Sequence, residues 1–389
     1  MPAVSETSAF DRALLSSSRP QRDVPRGAPT LADLDCCRNH PGHEGLAPAV
    51  EPDLPDGEVI DGRFVIREAV GRSEMSTVYR AEDRSDSGRS VAIKVPLVKT
   101  ESDPVLYGRF HREEMIGVAL SHPSLLRFIA VPGQKERSYI AMEYLDGCTL
   151  AYILHLTRPL PERDSLRITG VVCAALEYLH GRGFIHRDLK PSNIMICRDG
   201  TLRVMDYGLA EELKARRGIL DSMTPLFGTP EYMAPEQVRN KRNTERTDIY
   251  SLGVVLYQML TGVLPFAGAE PWVSAQMRVT GDPAAPREVN SRISAQAEEI
   301  VLHAMRRRPS ERYPSAAAFH AEVDAPERVH VTGLSGRLKA PTFRLSLEGT
   351  PILSGVLIGV GILLAAVAVV YFAMHGAGAH HHAASAAGG

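Results

Sequence analysis

His186-Arg187-Asp188-Leu189-Lys190-Pro191-Ser192-Asn193 is the stretch on which the reading of this chain turns. It sets a carboxylate, an amine and a carboxamide close together, side chains that accept a proton, neutralise an anion and ligate a hard cation. Shortly downstream come Asp206-Tyr207-Gly208 and then Gly228-Thr229-Pro230-Glu231-Tyr232-Met233-Ala234-Pro235-Glu236. Upstream, Val91-Ala92-Ile93-Lys94 ends an apolar segment on a lysine, and Phe110-His111-Arg112-Glu113 opens a helical pattern. Farther back, Val70-Gly71-Arg72-Ser73-Glu74-Met75-Ser76-Thr77-Val78 lies between two segments of alternating polarity. Taken singly, each has a plain structural reading: an ordinary hairpin, a solvated edge lysine, a solvated helix acid. Their order along one chain is what chance does not supply.

Outward from these motifs, IDGRFVIREAVG and STVYRAEDR alternate apolar with polar residues as half-buried strands do. VAIKVPLV and SYIAMEYL also read as strands, whereas Phe110 to Leu120 and Leu166 to Leu179 carry helical spacing. A strand-rich part followed by a helix-rich part predicts an α+β fold of two lobes with a cleft between them, where ligands bind. A formal net charge of −2 gives no polycationic bias, so no nucleic-acid partner is expected. Cys36, Cys37, Cys148, Cys173 and Cys197 form no disulfide framework, and the last three sit in apolar contexts as small core residues. Cys36-Cys37 with His40 and His43 matches no common zinc spacing.

The motif set resembles the eukaryotic-like, Hanks-type serine/threonine protein kinases of bacteria, over residues 64–323. His186 to Asn193 fits H-R-D-L-x-x-x-N throughout, Asp206-Tyr207-Gly208 is a variant of D-F-G, and Ala234-Pro235-Glu236 is A-P-E. The resemblance implies a bilobal protein kinase fold, with Asp188, Lys190 and Asn193 catalytic and with ATP and Mg²⁺ (or Mn²⁺) as cofactors. Asp188 would accept or orient the substrate hydroxyl proton. Lys190 would stabilise the transferring phosphoryl group, and Asn193 and Asp206 would ligate the metal. Lys94 would pair with the nucleotide's α- and β-phosphates. Its expected ion-pair partner is Glu113, with Glu114 as the competing choice; a seven-residue step back from Leu120 favours Glu113 facing inward.

Backbone N–H groups of the hairpin Val70 to Val78 would approach the phosphates. Of the three glycines in G-x-G-x-x-G-x-V only Gly71 is kept, with Ser73 and Ser76 replacing the others. A Walker-type loop is excluded because no G-K-[ST] follows. Met142 resembles the residue that gates the adenine pocket, Glu143-Tyr144-Leu145 the hinge, and Val70, Val78, Ala92 and Met195 the purine sandwich. Asp248 resembles the aspartate that braces the catalytic loop, and Arg312 the partner of Glu236. Lys190-Pro191-Ser192 and Thr229, the latter bonding Asp188 and Lys190, resemble the serine/threonine class rather than the tyrosine class. Arg187 before Asp188 implies control by phosphorylation, with Ser222 and Thr224 the candidate sites. The rival expectation is a pseudokinase scaffold, supported by the altered glycine loop alone.

Beyond the expected kinase domain, 59–325, the ends differ in kind. Residues 1–58 lack periodicity and a signal peptide, and read as a disordered arm. Residues 352–374, ILSGVLIGVGILLAAVAVVYFAM, carry no charge and are long enough to cross a bilayer. Residues 326–351 then form a juxtamembrane linker and 375–389 a short tail outside. Arg337, Lys339 and Arg344 precede the run and no Lys or Arg follows it, which puts the kinase domain in the cytoplasm of a single-pass inner or plasma membrane protein. Gly355-x-x-x-Gly359 leaves a homodimer face open. Protein substrates with Ser/Thr acceptors complete the expected partners.

Overall fold

A computed structural model of the chain describes residues 54–207, 210–212, 229–266 and 270–341. Cys36, Cys37, His40, His43, Gly208, Ser222, Thr224, Gly228, the apolar run 352–374 and its tail lie outside the described residues. Among the described residues no helix is long and apolar enough to cross a membrane.

The first lobe is a five-stranded antiparallel sheet in sequential order: β1 (Val59–Ile60), β2 (Phe64–Arg72), β3 (Ser76–Asp83), β4 (Arg89–Pro96) and β5 (Ile140–Glu143). Strand side chains alternate between faces. Tyr79, Ala81, Val91, Ile93 and Ala141 point into one apolar cluster with Phe64 and Ile66. Ala92 and Met142 fall on the opposite face and join the core shared with the second lobe, with Val78 packed against it. The register places Val78 opposite Lys94 and Ala92 opposite Met142. One face therefore builds the lobe and the other lines the cleft. After α1 (Val98–Ser102), α2 (Pro104–Ala119) starts where Asp103 accepts the Val105 and Leu106 N–H groups and proline takes the first turn. Its inward face carries Phe110, Glu113, Ile116 and Gly117.

The second lobe comprises β6 (Gly147–Thr149), α3 (Leu150–Leu156), α4 (Glu162–Gly181), β7 (Phe184–Ile185), β8 (Ile194–Cys197), β9 (Leu202–Val204) and β10 (Glu211–Glu212), then α5 (Pro235–Val238), α6 (Glu245–Thr261), α7 (Pro271–Thr280), α8 (Pro286–Val289), α9 (Ala295–Ala304) and α10 (Ala316–Asp324). Strand β8 pairs with β6 and β9, and β10 with β7. Helix α6 is buried on all sides, which makes it the axis of this lobe. Gly253 is required there, because a Cβ would stand 2.9 Å from the Ala304 side chain of α9. Cys173 and Cys197 are buried and Cys148 is half-buried, and among the described residues no disulfide joins them.

Residues just outside the expected 59–325 bounds also pack on the folded body. The body includes residues ahead of 59: Leu54 is buried, and the Gly57 N–H donates to the Ile66 carbonyl at 2.9 Å. It also runs on past 325. Glu299 of α9 accepts the Thr332 N–H at 3.0 Å and the Leu334 N–H at 3.2 Å; the Asp282 N–H donates to the Lys339 carbonyl at 2.8 Å while the Asp282 carboxylate accepts the Lys339 N–H at 3.0 Å. The first part of the expected linker, 326–341, is thus held on the second lobe. Polar bonds to two distant carboxylates do this, and no apolar periodicity announces them.

Candidate active site

The loop between β7 and β8 is anchored from below. Asp248, completely buried in α6, accepts the His186 N–H through Oδ2 and the Arg187 N–H through Oδ1, each at 2.9 Å. His180 at the end of α4 donates Nε2–H to Oδ2 at 2.8 Å. Burial alone would raise this carboxyl, but the His180 bond, the nearby histidines and the Arg187 N–H outweigh it and hold Asp248 below the usual carboxylate range. Arg187 takes φ +70°, a left-handed conformation a non-glycine residue avoids. Asp248 on its N–H and the Gln237 amide on its carbonyl, at 2.9 Å, hold it there.

Above this anchor the reactive groups converge. Lys190 Nζ donates to Asp188 Oδ2 and to Thr229 Oγ1, both at 2.7 Å. Thr229 N–H reaches Asp188 Oδ1 at 3.2 Å. Asn193 donates Nδ2–H to the Asp188 carbonyl at 2.8 Å and to its carboxylate at 3.3 Å. Asp188 and Asn193 are buried, so these bonds fix both side chains. With its NH₂ group engaged, Asn193 keeps the amide oxygen for a hard cation.

From the first lobe, Lys94 of β4 meets Glu113 of α2 with Nζ 2.7 Å from each carboxylate oxygen. Glu114 instead pairs with Lys135. Burial on its own would lower the Lys94 ammonium, but the Glu113 and Asp206 carboxylates override that and hold it above its ordinary value. Lys94 therefore presents a full positive charge beside Asp206. Asp206 adopts φ +67°. The preceding carbonyl, that of Met205, accepts His186 Nε2–H at 3.0 Å, which assigns the proton to that nitrogen while Nδ1 faces the Asp188 N–H at 3.4 Å. The following Tyr207 is fully buried, donates to the Val204 carbonyl, and packs its ring against Phe128 and His186. Phe128 in turn presses on Gly117 of α2, where a Cβ would lie 2.5 Å from the ring. The aromatic of the expected Asp-Tyr-Gly motif thus ties α2 to the catalytic loop.

The adenine-side residues line the same cleft face: Ala92, Met142 and Met195 are buried, and Val78 and Leu145 are half-buried against the common core. Glu143 is occupied by the Arg127 N–H at 2.9 Å and the Arg203 guanidinium at 3.3 Å. Val70 and Gly71 are half-buried in β2, whereas Arg72, Ser73 and Glu74 are exposed at the hairpin tip; Ser76 and Thr77 are buried in β3. The tip is closed by Ser73, whose Oγ accepts the Met75 N–H at 3.2 Å and the Ser76 N–H at 3.1 Å. An amide oxygen at 193 and a carboxylate at 206 are the donor types Mg²⁺ takes, and one or two protein ligands suffice when phosphates and water complete the shell. His180, Gln237 and Phe128 were not singled out by the sequence. Each lies in a run without a motif, and each acts on a residue far away in the chain.

Comparison with known proteins supplies the family. A model of the protein kinase domain matches residues 64–323. The chain is similar to serine/threonine-protein kinase PknB of Mycolicibacterium smegmatis, 36% identical over 269 residues, which cover 68% of this chain and 43% of that protein. PknB of Mycobacterium leprae is 37% identical over 269 residues, again 68% of this chain and 43% of the relative. A probable serine/threonine-protein kinase PknB of Lactococcus lactis is 32% identical over 267 residues, covering 69% and 42%. The chain spans less than half the length of these curated relatives. With the motifs, the two lobes and the matched stretch in agreement, the chain belongs to the protein kinase domain family, among the bacterial Hanks-type serine/threonine kinases.

Proposed function

We propose that the chain transfers the γ-phosphoryl group of Mg-ATP to serine and threonine hydroxyls of proteins. The observation that carries this is the hydrogen-bonded set Asp188, Lys190 and Thr229, facing the Lys94–Glu113 pair across the cleft. Asp188 orients the acceptor hydroxyl and takes its proton. Lys190 lies against the same carboxylate and neutralises charge on the phosphoryl oxygens. Lys94, kept protonated by Glu113 and Asp206, binds the α- and β-phosphates. Asn193 and Asp206 would hold Mg²⁺, which supplies charge neutralisation between the phosphates when bound. Catalysis on this reading is positioning and electrostatic stabilisation in a partly dry cleft.

Regulation by phosphorylation of the segment carrying Ser222 and Thr224 fits a local excess of cations. Burial and the neighbouring Arg187 and Arg112 guanidiniums push Arg109 of α2 down to about 10, so a phosphate placed among them relieves mutual repulsion. Residues 352–374 are proposed to span a membrane once, with the kinase domain cytoplasmic and signalling from that surface. The full chain incubated with γ-labelled ATP, Mg²⁺ and a generic protein substrate tests the activity. Label on serine and threonine is expected, with Asp188→Asn lowering kcat roughly 10²–10⁴-fold. Equal turnover by that variant would remove Asp188 from its role, and no label at all from the wild type would leave the scaffold reading in place.

A further inference from the structure

A second cleft, of about 560 Å³, opens in the second lobe and shares no residue with the active site. It is strongly basic: Arg239, Arg306, Arg307, Arg308, Arg337 and Lys339 line it against only Asp282 and Glu311, a surplus of four positive charges (six against two). The two carboxylates are already engaged. Asp282 receives Arg307 Nε at 2.9 Å and the Lys339 N–H at 3.0 Å, and Glu311 receives Arg306 through Nε at 3.0 Å and Nη2 at 2.7 Å. They frame the site and set two guanidiniums in place rather than cancel the charge. Arg239 and Arg337 each spend a single donor on a backbone carbonyl, at Val279 and Thr332. The Arg308 side chain is 82% exposed, with Nη1 3.6 Å from Glu311. Among the described residues no bond to the Lys339 ammonium is seen.

Fixed guanidiniums with unspent donors, joined by the exposed Lys339 ammonium, suit a phosphate group. The source of that phosphate follows from where the wall is made. Arg337 and Lys339 belong to the segment held on the lobe by Glu299 and Asp282. Only ten residues, 342–351, then separate Pro341 from the apolar run at Ile352, a reach of at most about 35 Å. A basic cluster this close to a membrane span on its cytoplasmic side meets anionic headgroups. We infer that the cleft binds the phosphomonoester headgroup of an anionic phospholipid. The inference rests on the membrane reading of residues 352–374.

The test uses the full chain in neutral detergent, titrated with water-soluble dihexanoyl phosphatidic acid and, separately, with dihexanoyl phosphatidylcholine. Saturable binding of the acid and none of the choline lipid is expected. Arg308→Ala with Lys339→Ala, at two side chains that support no other element, should weaken it about tenfold or more with an unchanged melting temperature. Equal binding by that double variant overturns the cleft. Inorganic phosphate competing as well as the lipid at matched ionic strength makes the ligand a free phosphate and overturns the lipid. Tighter binding of a phosphorylated peptide overturns it likewise. Flotation with vesicles of pure phosphatidylcholine tests the span apart from the cleft. Failure to float with them defeats the membrane reading and the lipid as natural ligand, whereas loss of selectivity for phosphatidic acid defeats the cleft alone.

Discussion

Ser73 holds the Met75 and Ser76 N–H groups that a nucleotide's phosphates would otherwise draw on. Replacing it by glycine releases both donors, so Ser73→Gly should lower KM for ATP about threefold with kcat held, the worth of a modest hydrogen bond. Steady-state kinetics reads this, and a raised KM would mean that the serine itself contacts the nucleotide. Lys94 poses a different residue-scale question because its partner is buried. Lys94→Met should abolish detectable phosphotransfer and also lower the melting temperature, since Glu113 is left as an unpaired buried carboxylate. Adding Glu113→Leu should restore the melting temperature without restoring activity, which separates charge burial from catalysis. At Asp83 the Arg63 hydrogen bond is the largest influence and, against a burial cost, lowers the carboxyl from 3.8 to about 2. A depressed carboxyl favours the folded state above its unfolded value, and that contribution drains away as the pH falls from 3.8 toward about 2. Arg63→Ala should flatten acid unfolding in that window, as followed by circular dichroism.

At the scale of elements, α6 is the part that turns a loop into an active site. It offers one carboxylate, Asp248, to two backbone N–H groups and a histidine. Asp248→Ala orphans all three in a dry interior, so destabilisation on the order of 3 kcal/mol is expected, with loss of activity even in the folded fraction. Urea unfolding and the labelled-ATP assay together check it. The Arg312–Glu236 pair, two bonds of 2.7 and 2.8 Å in the core, ties the segment after the active site to the loop ahead of α10. Arg312→Ala leaves a buried charge and should cost about 3–5 kcal/mol. Arg278 of α7 is also completely buried and donates to the Met233 carbonyl at 2.9 Å, so the stretch running from Thr229 into α5 is gripped from two sides.

At the scale of the molecule, the lobes meet through a column of rings. Phe128, Tyr207 and His186 run from the first lobe to the catalytic loop, with centroids 5.6 and 6.1 Å apart. Lys94 and Asp188 sit on different lobes, so this packing sets how the nucleotide end of the site meets the acceptor end. Phe128→Ala should therefore reduce kcat more than it changes KM for ATP, and a change in KM alone would speak against the column's role. The proposed membrane span is tested at this scale too. Deleting residues 352–389 should move the chain from the carbonate-resistant membrane fraction to the soluble one.

The sequence by itself determined the motif order, the strand-rich first part and the helix-rich second part, and it singled out Lys94, Glu113, Asp188, Lys190, Asn193 and Asp206 as candidates. These are local signals: a motif is a run of neighbours, and a buried face repeats every two or every 3.6 residues. Only the tertiary structure decided what holds those residues in place. His180 meets Asp248 across 68 positions, Gln237 meets Arg187 across 50, and neither pair leaves a periodic trace. The same holds for the edges of the body. Leu54 stands isolated among acidic residues, proline and glycine between Val50 and Val59, and residues 326–341 are kept on the lobe by polar bonds to Glu299 and Asp282. A hydrogen bond between distant segments has a donor and an acceptor but no spacing, so it becomes visible only when the chain has folded.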